Sequence, residues 1–381
     1  MGCRERQAGG MRAMLASLAD TSLIAFSEDG TTILMHRLVQ RVLRERATHQ
    51  GDFDAVLLRA TGLLHAFAAT LPSGGAQTWA ARAAVEMLIE QTGALYRQTS
   101  AKNALSADLL VLQAWCGRYL FDLADLARAI PLLQQTLADC ERVLDADHPG
   151  ILASRNNLAS AYQAAGDPGR AIPLHEATLA DQERVLGADH PHTLGSRNNL
   201  AHAYQAAGDP GRAIPLYEQT LAAWEQMLGA DHPYTLGSRN NLAHAYRVAG
   251  DPGRAIPLHR ATLADRERVL GADHPNTLNS RGNLAHAYQT AGDLGRAVPL
   301  YEQTLADCER VLGADHPDTL GSRGNLAHAY QTAGDLGRAL PLYEQTLADC
   351  ERVLGADHST TRVVRENLEA AMALAANCGV G

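Results

Sequence analysis

Lysine is almost absent from this chain: Lys102 is the only one among 33 basic residues, and arginine carries the rest of the positive charge. A Walker A phosphate loop needs Gly-Lys-Ser/Thr, so that nucleotide-binding device is excluded from these 381 residues. No apolar run reaches the roughly 18 residues of a membrane helix, and the first residues lack the apolar centre of a secretory signal. Arg6 stands where a myristoylation signal has Ser or Thr. The six cysteines (Cys3, Cys116, Cys140, Cys308, Cys350, Cys378) show no metal-ligand spacing. Cys140, Cys308 and Cys350 share one repeated position, so they sit in separate units and need not pair. Reduced thiols of a cytoplasmic protein are the expectation. Positive charge is short overall as well: the formal net charge of −9 argues against a general nucleic-acid surface.

What is present is repetition. Asp-His-Pro begins at Asp147, Asp189, Asp231, Asp273 and Asp315, each 42 residues after the last, and an altered copy reads Asp357-His358-Ser359. A fixed period of this size means stacked supersecondary units rather than one globular core. In the unit from Pro191 to Asp231, Pro191 suits the first turn of a helix, where a missing N–H costs nothing. That helix runs through Leu194, Leu200, Ala201 and Tyr204 to about Ala207, and Gly208 stops it. Asp209-Pro210 reads as an N-cap followed by proline at the first helical position. A second helix carries Ala213, Ile214, Leu216, Tyr217, Leu221, Trp224 and Leu228 and ends at Gly229. Pro215 and its counterparts Pro173, Pro257, Pro299 and Pro341 fall inside it and should bend it.

Leu200-Ala201-x2-Tyr204, Gly208 and Ala213-x3-Tyr217 resemble the tetratricopeptide repeat, lengthened by about two helical turns in total. Asn198-Asn199-Leu200-Ala201, Ala213-Ile214-Pro215-Leu216-Tyr217 and Leu228-Gly229-Ala230-Asp231-His232-Pro233 resemble its kinesin-light-chain subclass. Thr220 departs from that pattern, which has alanine there. The resemblance implies an all-α, α-α superhelix: a solenoid of 42-residue helical hairpins. Six hairpins are expected over 106–357, the first (106–147) degenerate. A capping helix, Thr360 to Ala376, and a tail fill 358–381, with Arg362, Arg365, Glu366 and Glu369 as the polar side a cap needs.

Advancing about 100° per residue, the first helix sets Leu200, Ala201 and Tyr204 on one face and Asn198, Asn199, His202 and Gln205 on the opposite one. In stacked helix pairs the first helices line the concave side, so this second stripe becomes a ladder along a groove. Its inner rungs are Asn157, Asn199, Asn241, Asn283 and Asn325, beside Asn156, Asn198 and Asn240, with Gly282 and Gly324 in later copies. The next column reads Ser160, His202, His244, His286, His328, and the last Gln163, Gln205, Arg247, Gln289, Gln331. Asparagine offers both a donor and an acceptor and can pair with an extended peptide backbone. In tetratricopeptide repeats resembling these, groove asparagines hold a peptide main chain or a terminal carboxylate. The competing explanation is solvation: a face opposite the core is polar because it is wet. The blocks 274–315 and 316–357 differ only at Asn276/Asp318, Asn279/Gly321 and Val298/Leu340, so repetition there reflects copying.

The Asp-His pairs read as turn and cap chemistry, too few and too far apart to close a metal site. Arg155, Arg197, Arg239, Arg281 and Arg323 fall toward the packed side, their heads expected on a carboxylate such as Glu183 or Glu225. In the degenerate first hairpin Trp115 replaces the inner asparagine, with Arg118 and Phe121 further along. An aromatic face needs a cover, and the preceding segment is the candidate.

Residues 51–105 read as a helical linker of two helices broken at Pro72-Ser73-Gly74-Gly75. Before it, Ser22-Leu23-Ile24-Ala25-Phe26 and Thr32-Ile33-Leu34 are strand-like around a turn, and a helix follows from about Met35 to Arg46. Leu18 to Leu23-Ile24, Asp29-Gly30 and Met35-His36-Arg37-Leu38-Val39-Gln40-Arg41-Val42-Leu43-Arg44 resemble the winged-helix end of bacterial STAND-type, NB-ARC-like NTPases. Residues 1–50 are then a small, incomplete α/β winged-helix remnant. The resemblance implies a sensor half whose ATPase is absent, with any output through a separate NTPase chain.

The expectation is therefore a noncatalytic, cytoplasmic protein-interaction scaffold and sensor. It takes a peptide or partner protein in its groove, with no cofactor, no metal, no membrane and no nucleic acid. The alternative is a DNA-linked transcriptional regulator using Arg37, Arg41, Arg44 and Arg46. No nucleophile–base pair or phosphate loop points to an enzyme.

Overall fold

A computed structural model describes residues 24–26, 33–35, 53–72, 81–100, 105–356 and 358–377. The chain forms two compact units, Met1–Asn157 and Leu158–Gly381.

In the first unit β1 (Ile24–Phe26) pairs antiparallel with β2 (Ile33–Met35), in the register Ile24–Met35, Ala25–Leu34, Phe26–Ile33. Met35 thus closes a strand instead of opening a helix; Ile33 and Met35 sit opposite Phe26 and Ile24, which extends the ladder by one place. The expected basic helix beyond it, with Arg37, Arg41, Arg44 and Arg46, lies outside the described residues.

Four helices follow: α1 (Phe53–Ala68), α2 (Arg82–Ser100), α3 (Ala107–Asp122) and α4 (Leu126–Val143). Ala68, Val85, Leu88, Leu112, Cys116 and Tyr119 form their shared core. Polar ties reinforce it. The Tyr96 hydroxyl donates to Asp139 at 2.6 Å, and Arg128 grips Glu86 at 3.0 Å through one guanidinium nitrogen. The two linker helices thus dock on the first hairpin, α3–α4. Ala124, between those helices, has φ +59°, the left-handed region that disfavours any residue with a Cβ. Every later copy of that position is a glycine, Gly208 among them at φ +77°.

α5 (Pro149–Ala164) leads into the second unit. There the pairs α6–α7, α8–α9, α10–α11 and α12–α13 alternate second and first helices of successive hairpins. Their bounds are α6 Pro168–Leu186, α7 Pro191–Ala206, α8 Pro210–Leu228, α9 Pro233–Val248 and α10 Pro252–Leu270. The series continues with α11 Pro275–Thr290, α12 Leu294–Leu312, α13 Pro317–Thr332, α14 Leu336–Val353 and the terminal α15 Ser359–Asn377. From α6 to α15 each helix packs against the next in the chain, the arrangement of a stacked-hairpin solenoid.

The local signals act as chemistry requires. Asp167, Asp209 and Asp251 are N-caps whose carboxylates accept from the N–H three residues on, with proline in the first turn. The tag histidines do the same for the first helices: His190, His232, His274 and His316 accept at Nδ1 from the N–H two residues on. The second helices run unbroken through Pro215 and its counterparts. Thr220, the departure from alanine, is fully buried, and its hydroxyl donates back to the Leu216 carbonyl at 2.8 Å, so no polar group is stranded.

The seam is small and apolar. Leu200, Ala201, Tyr204, Ala213, Tyr217, Leu242, Ala245 and Tyr246 form one continuous cluster, and buried residues from Leu263 to Ala371 another. Of the arginines expected on the packed side, Arg239, Arg281 and Arg323 bridge consecutive second helices, whereas Arg197 donates to Glu183 at 2.8 Å and to the Ala188 carbonyl at 3.2 Å. Arg239 reaches Asp265 at 2.7 Å and Glu225 at 3.2 Å; Arg281 and Arg323 repeat the pattern. At the end of the stack α15 buries Val364, Leu368 and Ala371 and turns Arg362, Glu366 and Glu369 outward.

Candidate functional site

The first helices of successive hairpins approach each other side by side, and their polar faces meet. Asn241 donates from Nδ2 to Asn198 at 3.0 Å, and Asn283 to Asn240 at 3.1 Å. The asparagine columns are therefore a latch between repeats, and Asn283 donates a second time, to Asn279 on its own helix at 3.0 Å. Asparagine has two donors and a two-lone-pair oxygen, so each latched pair keeps capacity for a further partner. Asn198, Asn199, Asn240, Asn241 and Asn283 are half-buried, whereas Asn325 is exposed. The reason is Gly282: it stands where the latch partner of Asn325 would be. Asn157 is half-buried on α5, at the end of the first unit.

The next two columns are linked to each other and to the second helices behind them. Gln163 bonds His202 across one repeat boundary. Arg247 donates to His244 Nδ1 at 3.2 Å on its own helix and to His286 Nε2 at 3.3 Å on the next first helix. Gln289 donates to Thr332 at 3.0 Å and accepts from the buried Tyr301 hydroxyl at 3.0 Å; Gln331 accepts from Tyr343 at 2.9 Å. Gln205 is half-buried with its carbonyl oxygen unpaired by protein, and His328 stands exposed at the far end.

Behind this face lie two residues that reading the first helix alone misses. His175 and His259 occupy the position that is Tyr217, Tyr301 and Tyr343 in the other regular hairpins and Leu133 in the first. They are 0% and 1% exposed, and none of their four ring nitrogens bonds to a protein group. The signal was available as an alternation of His and Tyr at the second-helix position. Burial pushes both imidazoles down to about 4. For His259 the cations and imidazoles of His244, Arg247, His286 and Arg266 act in the same direction. His244 and His286 are likewise pushed down to about 4, first by burial and then by Arg247. His286 is exposed at one edge, whereas His259 is enclosed.

The Asp-His tags are occupied otherwise. Asp231, Asp273 and Asp315 receive Arg268, Arg310 and Arg352 of the following second helix at 2.9, 3.0 and 3.0 Å, while the histidines cap helices. Trp115, in the first unit, is 38% exposed. Its expected cover is partial: His65 of α1 stands edge-on to it at 5.6 Å, and a cleft lined by Ala68, Leu71, Trp115, Arg118 and Asp122 stays open. Cys116, Cys140, Cys308 and Cys350 are buried free thiols; Cys3 and Cys378 lie outside the described residues. Among the described residues no helix is long and apolar enough to cross a membrane.

The tetratricopeptide repeat family profile matches residues 111–183, 161–226, 192–266 and 234–309, and a second profile described by the same name matches 319–360. The chain belongs to the tetratricopeptide repeat family. Among solved structures it is 34% identical to the nearly identical TPR-like repeats of a candidate kinesin light chain from Podosopora anserina, covering 53% of this chain and 96% of that one, with a TM-score of 0.49. A tetratricopeptide repeat protein from Parabacteroides merdae is 13% identical over 82% of this chain and 99% of its own, with a TM-score of 0.55. A Rap protein solved in complex with competence and sporulation factor is 13% identical over 84% and 88%, with a TM-score of 0.51. No curated protein matches the chain.

Proposed function

We propose that the chain is a noncatalytic scaffold that binds a peptide or partner protein on the first-helix face. Asn198, Asn199, Asn240, Asn241, Asn283 and Asn325 are the inner contacts in this reading. His202, His244, His286, His328, Gln205, Arg247, Gln289 and Gln331 are the outer ones. The observation that supports it is the half-latched asparagine column: amides spaced one repeat apart, each pair holding a free donor and acceptor. A main chain in extended form satisfies such a row, whereas solvation alone does not demand amides in preference to charged groups. The Rap protein, a structural relative by fold, holds a factor in its complex.

The finer reading is a sensor, the part of a bacterial STAND-type signalling protein that senses a ligand and passes the signal to a separate NTPase chain in the cytoplasm. It is supported by the sequence resemblance over Leu18–Arg44 and by the order strand pair, helical linker, repeats.

The test is affinity capture from the cell of origin with the intact chain and with Asn199→Ala/Asn241→Ala/Asn283→Ala, both shown to keep their helical circular dichroism. Loss of the captured polypeptide in the variant is expected. Undiminished capture contradicts the assignment of this face.

A further inference from the structure

We propose that Arg247, His244 and His286, backed by the enclosed His259, form a binding site for a carboxylate, and that the site takes up a proton as the anion enters. The proposal rests on the preceding reading only in taking the carboxylate to belong to a polypeptide.

Four observations carry it. First, Arg247 stands where the other regular hairpins have Gln163, Gln205, Gln289 and Gln331. In two of those the glutamine accepts from a tyrosine behind it, a bond that a guanidinium, having no acceptor, cannot make. Second, Arg247 is half-buried, and its hydrogen bonds go to two imidazoles and to no carboxylate. Arg239 and Arg254 of the same hairpin each hold an acid. A desolvated guanidinium without a counter-anion is costly, and a bound anion removes that cost. Third, His259 is a polar side chain almost wholly buried, with both nitrogens unbonded to protein. The groups acting on it are His244 and Arg247 from α9, His286 from α11 and Arg266 from its own helix, with Tyr301 of α12 acting on Arg247. None is a carboxylate. Fourth, the surrounding hairpin is cationic within an acidic chain. α10 carries Arg254, Arg260, Arg266 and Arg268 against Asp265 and Glu267, while α8 carries Arg212 against Glu218 and Glu225. Arg260 and Arg266 bond only to uncharged groups.

The molecule contains its own control. His175 is as deeply enclosed as His259, but its neighbours on the first-helix face are Gln163 and His202, with no arginine. Burial alone therefore does not make the site; the arginine does. While the site holds no anion, the neutral imidazoles accept from Arg247. A carboxylate in contact with Arg247 favours the imidazolium of a neighbouring histidine, so one proton from solvent accompanies binding.

Two sources share this chemistry, a chain-terminal carboxylate and an acidic side chain, and the experiment separates them. The histidine ring C2–H resonances of the full chain are followed by NMR during titration with N-acetyl-tetraglycine, with N-acetyl-Gly-Gly-Glu-Gly-amide and with inorganic phosphate, at pH 7.5 and 6.0. His259 is assigned through His259→Tyr. The expected result is a saturable shift at His259 with at least one of the peptides and little movement of His175. Affinity should rise toward pH 6.0 by up to ~30-fold, the limit for one proton over that interval. Arg247→Gln, which restores the repeat's own residue, should abolish the shift with the helical signal unchanged.

A shift that survives Arg247→Gln, equal movement of His175, no response to either peptide, or tighter binding of phosphate than of both would overturn the proposal. Failure here with partner capture intact removes only this site. A saturable response in a chain that captures no polypeptide removes the preceding reading instead.

Discussion

The hairpin of α9 and α10 and the hairpin of α13 and α14 are built from one template and diverge where a ligand would touch. Leu242 and Leu326 are both 5% exposed in the seam. Arg239 and Arg323 bridge the same pair of acids, and Asp251 and Asp335 cap the same turn. Within that shared frame Arg247 corresponds to Gln331, His259 to Tyr343, Arg260 to Glu344 and Arg266 to Cys350. One hairpin closes its polar face internally, with the Tyr343 hydroxyl on Gln331. The other leaves a cation and an imidazole without an acid. In a stack of this kind the packing is common property of all repeats, and recognition is written into single hairpins.

That separation can be broken from the packing side. Leu242→Ala should cost about 2–5 kcal/mol in chemical denaturation, and Leu326→Ala a similar amount. A loss below about 0.5 kcal/mol for either, or a large inequality between them, contradicts a shared seam. Next, Arg323→Met should cost about 2 kcal/mol, because Asp349 and Glu309 lose the cation between them while keeping some solvent. Arg239→Met should match it, and a neutral outcome would show the bridges to be ornamental.

A separate effect is expected from pH. His175 and His259 ionise at about 6.5 in the unfolded chain and at about 4 when folded. The unfolded state therefore binds more protons between those values, and stability falls as pH drops from about 6.5 to about 4. His175→Tyr/His259→Tyr, which installs the residue of the other regular hairpins, should flatten the thermal midpoint over that window, removing an acid-side loss of up to about 3 kcal/mol per histidine. An unchanged acid slope would contradict the burial of neutral imidazoles. The smallest effect belongs to the first unit: Ala124→Gly relieves a left-handed alanine and should stabilise by up to about 1 kcal/mol. Destabilisation would show that the turn differs from its glycine counterparts.

Much of the fold was legible because its signals are local. Asp209-Pro210 caps and starts a helix wherever it occurs, and Gly208 ends one, so a 42-residue period places helices to within a residue or two. The direction of the first helix was legible too, since Leu200, Ala201 and Tyr204 recur at helical spacing and are buried. The asparagine latch was not, because it needs the register between hairpins: Asn241 meets Asn198, 43 residues away, and not its own counterpart Asn199. His175 and His259 were hidden for another reason. They sit on the second helix among apolar neighbours, where a Tyr-to-His exchange changes no periodicity. Ala124 reads like any alanine, and only its backbone angle reveals that it does a glycine's task.

The most direct measurement places a photo-crosslinking residue at Val248, an exposed first-helix position, and in a second chain at Val269, an exposed second-helix position. Irradiation in the cell of origin should yield a covalent adduct with a polypeptide from the Val248 chain and none from the Val269 chain. Adducts from Val269 alone, or equal adducts from both, would contradict a ligand held on the first-helix face.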